Sequence, residues 1–119
     1  MATNEIYRDA FSLPIDFGTP EPSISSGDFV IVGDLRGVAE TDAVERANGS
    51  YWATVRFIGG FTGTTADAVD FGDALYLAAG ATNGTAVTTD DNTGSNILVG
   101  HAVSAKGIGA GNVVVRINN

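Results

Sequence analysis

The stretch "SGDFVIVGDLRGVAE", residues 26–40, sets two short apolar runs on either side of Gly33-Asp34. Phe29, Val30, Ile31 and Val32 are the aromatic and β-branched residues that strands favour, and Gly-Asp suits a tight turn. The spacing predicts a hairpin with strands over 29–32 and 35–39. A second Gly-Asp pair, Gly72-Asp73, opens "GDALYLAAG" and again leads into an apolar run. Glycine permits φ > 0, and the Asp carboxylate accepts an amide hydrogen bond in such a turn. The two openings would mark equivalent corners of two halves of one barrel, on a match too short to establish a duplication by itself.

Strand signals continue on both sides. In "YWATVRFIG" (51–59), Tyr51, Ala53, Val55 and Phe57 would face one side and Trp52, Thr54, Arg56 and Ile58 the other. Further strands are expected at 75–77, after the Asn83-Gly84 turn at 85–88, at 97–103 and at 112–117, where Val113, Val115 and Ile117 alternate with Val114 and Arg116. Helix signals are scarce: "TDAVERA" (41–47) and "TADAVDF" (65–71) are two turns at most, a short helix or an irregular loop. The fold class is therefore all-β, a small barrel or sandwich of seven or eight short strands over 26–119.

Residues 1–25 differ. All three prolines, Pro14, Pro20 and Pro22, fall there, and proline avoids central strands. The segment reads as an extended N-terminal arm whose Ile6, Tyr7, Phe11, Leu13, Ile15 and Phe17 are too many for a solvated tail. They need a surface to cover, on this chain or on a partner.

Composition narrows the function classes. The chain has 119 residues, 16 of them glycine, a net charge of −8 and a single lysine, Lys106. One domain rich in tight turns is expected. Such acidity repels phosphate backbones and anionic lipid, so neither nucleic acid nor membrane is expected as a partner. Either ordinary solubility or a high-salt habitat would account for it. Without cysteine there is no disulfide framework and no thiolate metal site. No basic segment precedes a long apolar one, which predicts no signal peptide and a soluble protein used inside a cell.

No catalytic constellation emerges. His101 is the lone histidine, in a strand, and the spacing supplies neither a nucleophile nor a carboxylate beside it. "GIGAGN" (107–112) precedes a strand instead of following one, so a hairpin loop is expected and not a nucleotide loop. "DDNTGSN" (90–96) is rich in oxygen but lacks the closing acidic ligand of a calcium loop. No cofactor and no metal are expected, and the chain reads as a binding or structural protein, not an enzyme.

The order of these elements resembles the capsid cement, or decoration, proteins of tailed viruses. The likeness is carried by residues 25–43, "SSGDFVIVGDLRGVAETDA", with "YWATVRFIGGFT" (51–62), "AVDFGDALYL" (68–77) and "LVGHAVSAKGIGAGNVVVRIN" (98–118). It implies a compact β domain on the outer surface of an icosahedral head, made in the host cytoplasm. It also implies a homotrimer at three-fold and quasi-three-fold sites, with the major capsid protein as partner. On this reading the arm makes the capsid contact, through Ile6, Tyr7, Arg8, Phe11, Leu13 and Ile15. The alternative is a glycan- or host-surface-binding module presenting Tyr51, Trp52 and Tyr76; burial of Trp52 would speak against it.

Overall fold

A computed structural model of the chain describes residues 12–19, 21–78 and 81–117. The strands in chain order are β1 (Ser12–Gly18), β2 (Phe29–Val32), β3 (Leu35–Ala39), β4 (Val44–Glu45), β5 (Tyr51–Arg56) and β6 (Gly60–Thr65). They continue as β7 (Ala74–Leu77), β8 (Asn83–Gly84), β9 (Val87–Thr88), β10 (Leu98–Ala102) and β11 (Gly111–Ile117). The all-β reading holds. Three of the strands are two residues long, and a 3-10 turn stands at Asn92–Gly94.

The strands form two antiparallel sheets with one plan. The first runs β1-β5-β3-β2-β8, with β4 also on β5; the second runs β6-β11-β10-β7-β9. Setting β1, β2, β3 and β5 (module A) against β6, β7, β10 and β11 (module B) gives the same sheet order twice. The agreement extends to single hydrogen bonds. Gly27 and Gly72 share a φ of 94°. The Asp28 carboxylate accepts from Ser25 N at 3.0 Å and the Asp73 carboxylate from Asp70 N at 2.9 Å. Gly27 N donates to Ala39 O and Ala39 N to Asp28 O; Gly72 N donates to Ala102 O and Ala102 N to Asp73 O. The two Gly-Asp openings are thus equivalent corners of a structural repeat.

The repeat extends along the strands. Ala39 pairs with Val55 and Ala102 with Val115; Val38 pairs with Arg56 and His101 with Arg116. Leu13 lies opposite Val55 as Phe61 lies opposite Val115. Both third strands hold a glycine two residues before the alanine. A Cβ on Gly37 would sit 2.4 Å from Val55 Cγ1 and 2.8 Å from Arg56 O, and one on Gly100 would sit 1.9 Å from Arg116 O. At both places the neighbouring strand passes where a side chain would stand.

The modules part where module A turns from β2 to β3 in two residues and module B takes residues 78–97 to connect β7 to β10. That insertion places β8 on β2 and β9 on β7, so it stitches the two sheets. Its anchor is Asp67, whose carboxylate accepts from the Thr88 hydroxyl at 2.8 Å and from Thr89 N at 3.1 Å. Lys106 fixes the same corner by donating to Asp67 O at 2.9 Å.

Packing also differs. Leu75, Leu77, Ala102, Val113 and Val115 of module B form the main core together with Phe29 and Val38, which project from module A. Gly63 makes the room: a Cβ there would be 3.1 Å from both Phe29 and Val87 side chains. Its counterpart in module A, by register with Val113 and Ala53, is Ile15. Ile15 packs with Phe17 on a second, smaller core of Ile24, Val30, Ala39, Ala53 and Val55.

Two short segments depart from expectation. Residues 41–47 contain β4, because Val44 and Glu45 pair with Trp52 and Tyr51 of the long strand beside them. Residues 65–71 complete β6 and then form a single bridge from Val69 to Lys106. Both pieces are too short to nucleate a helix against a ready sheet edge.

Candidate capsid-binding surface

Of the arm residues singled out from the sequence, Ile6, Tyr7, Arg8 and Phe11 lie outside the described residues. Leu13 and Ile15 are in β1, both part-buried, on the edge of the first sheet against β5. Ile15 points onto the smaller core. Pro14 is tolerated because β1 is an edge strand with one neighbour. Ser12, the first described residue, opens this edge strand.

The corner of module A beside Ser12 is polar and bonded to itself. The Ser12 hydroxyl donates to the Glu40 carboxylate. Ser26 N donates to Asp42 Oδ1 at 2.7 Å and the Ser26 hydroxyl to Glu40 O at 3.0 Å. Thr54 N donates to the Thr41 hydroxyl at 3.1 Å. Module B keeps only the last of these bonds, from Val114 N to the Ser104 hydroxyl at 3.0 Å. Where module A has Ser26, Glu40 and Thr54, module B has Phe71, Val103 and Val114, which are 73%, 38% and 39% exposed. The Val103 N–H donates to Val114 O, and Gly72 N to Ala102 O, so the strands bring the three positions together. This apolar face escaped the sequence reading, although Val114 had been assigned to the side opposite the buried Val113 and Val115.

Other features give no chemistry. His101 is part-buried, and its strand neighbours are Ala74 and Arg116, neither nucleophile nor carboxylate. The carboxylates of Asp90 and Asp91 accept from Asn92 N and Thr93 N within their own loop. Among the described residues no group of three His, Cys, Asp or Glu side chains could hold a metal ion. No helix among them is long and apolar enough to cross a membrane. The Asp67 carboxyl is held below the ordinary carboxylate range, chiefly by the Thr88 hydroxyl and then by Thr89 N–H. That marks a structural brace, since both donors belong to the stitching insertion.

Tyr51, Trp52 and Tyr76 are all part-buried. Arg46 lies over the Trp52 ring at 5.0 Å from its centroid, and the Trp52 indole nitrogen is buried without an acceptor. A sugar-stacking platform needs an open ring face and reachable polar edges, so the glycan reading gains no support.

The phage cement protein family matches residues 12–117, nearly the whole described chain. The chain belongs to that family. The match begins at the first residue of β1 and ends at the last of β11, so it takes in both modules. Neither the curated proteins nor the solved structures hold a match. Membership of the phage cement family gives the chain a structural, capsid-binding role in the virion, for which the absence of a catalytic constellation among the described residues is no obstacle.

Proposed function

We propose that this cement protein binds the outer surface of an icosahedral head as a homotrimer at three-fold and quasi-three-fold sites, and that it holds neighbouring capsid subunits together. The observation that supports this most is family membership over residues 12–117, in a body made of two braced β modules. Such a body resists deformation, and repeated copies multiply weak contacts through avidity. Closed three-fold symmetry suits a site where three subunits meet.

The arm supplies the capsid contact in this reading. Ile6, Tyr7, Arg8 and Phe11 reach the shell, Leu13 stands at the base, and Ile15 anchors the segment to the body. The test uses heads stripped of the protein and full-length chain in which Ile6, Tyr7 and Phe11 are changed to Ser. Wild type should bind and raise the temperature at which heads open, while the variant stays folded and binds at least tenfold more weakly. Equal binding by both would remove the arm from the contact. No binding by wild type would overturn the proposal.

A further inference from the structure

The two modules act as controls for each other. They share strand order, register and corner hydrogen bonds, so the fold does not demand an apolar residue at 71, 103 or 114. Module A fills the same three positions with Ser26, Glu40 and Thr54. The exposed Phe71, Val103 and Val114 of module B therefore serve something other than folding, and exposed apolar residues gathered on one face mark a contact.

The charge around that face is unusual for this chain. The strands of the second sheet contain no Asp or Glu, although the chain has 14 carboxylates. Arg116, exposed beside Val114, gives the face a positive edge, with Asp70 and Asp73 confined to the turn that carries Phe71. The matching surface is on module A. An open hollow of about 470 Å³ is lined by Thr41, Asp42, Val44, Arg46, Trp52 and Thr54. Glu40 and Glu45 neighbour it in sequence and join Asp42 against the one cation, Arg46. Val44 is 56% exposed, and an apolar knob would cover it.

We infer that copies of this chain join head to tail, the Phe71–Val103–Val114 face of module B seating on the Trp52 hollow of module A in the next copy. Charge complementarity favours a second copy, since Arg116 meets the Glu40, Asp42 and Glu45 edge. It also sets the mode. Two module B faces in contact would oppose Arg116 with Arg116, whereas a head-to-tail contact repeats and can close into a ring. The inference rests on the self-association proposed above and assigns it a surface.

Because the chain has no cysteine, pairing can be read directly in the full-length protein. Under mild oxidation Val44→Cys with Phe71→Cys in one chain should give a covalent ladder ending at three copies. Each single variant should remain uncrosslinked, and a mixture of the two single variants should give dimers only. Crosslinking by Phe71→Cys alone, or none by the double variant, overturns the head-to-tail contact. Sedimentation of Val114→Glu supplies the second arm: it should run as a folded monomer where wild type runs as a trimer. A trimer that Val114→Glu leaves intact overturns this contact but not the trimer. A wild type that is monomeric at every concentration overturns both. Loss of head binding by Val114→Glu with the trimer intact assigns the face to the capsid protein and overturns the inference.

Discussion

Module A and module B have one backbone plan and opposite surfaces. At the corner where module A sets Ser26, Glu40 and Thr54 in a hydrogen-bonded net, module B exposes Phe71, Val103 and Val114. In the interior the roles reverse. Module A closes its own small core with Ile15, while module B leaves a gap at Gly63 and receives Phe29 from its sibling. Residues that agree between the modules, the Gly-Asp corners and the glycines at 37 and 100, serve the fold. Residues that differ show how the two halves are joined and where a partner is met.

The largest expected effect comes from breaking the junction. Phe29 is completely buried in the main core, so Phe29→Ala should cost about 3–5 kcal/mol in a urea titration. The counterpart on the module B side, Ala74→Gly, removes little and should cost far less; equal losses would mean that the modules do not lock through Phe29. Next is Gly100→Ala, whose Cβ would collide with the rigid backbone oxygen of Arg116 at 1.9 Å. A loss of about 3 kcal/mol is expected, with Gly37→Ala milder because its nearest clash is the Val55 methyl. The opposite ranking would mean that the Arg116 backbone yields more readily than the neighbours of Gly37.

A finer comparison uses the corners. Asp28→Ala and Asp73→Ala each leave one turn N–H without its carboxylate and should each cost about 1 kcal/mol, since the bonds match in length and partner. A difference well beyond that size would show that the two turns are not equivalent. The smallest effect is the acid response of Asp67. Its folded pKa lies below the ordinary value of 3.8. Its contribution to stability is therefore present above that value and lost as pH falls through the folded pKa. Asp67→Asn should lose that contribution at pH 7 and flatten the acid limb below pH 3.8, so that variant and wild type converge in acid. An unchanged acid limb would mean that the brace does not depend on charge.

Much of this plan was legible in the sequence, and the exceptions have physical causes. The strands at 29–32, 35–39, 51–56 and 111–117 are dense in β-branched and aromatic residues, so local preference and burial agree. β1 and β6 passed unread because Pro14 and the Gly-Thr run of "GFTGTT" are poor strand formers. Both are edge strands, held by β5 and β11 beside them. The paired Gly-Asp openings hinted at a repeat, but its proof lies in bonds such as Gly72 N to Ala102 O, between residues far apart in sequence. The Phe71 face was hidden because Val103 and Val114 read as ordinary strand residues. Only comparison with Glu40 and Thr54 at the same places shows that they stand out.

The most direct test of the capsid-binding role is the number of copies of this chain per major capsid protein in gradient-purified particles. The account predicts stoichiometric occupancy, near one copy per capsid subunit or one trimer per three-fold site. Absence from the particle, or only a handful of copies per head, would contradict it.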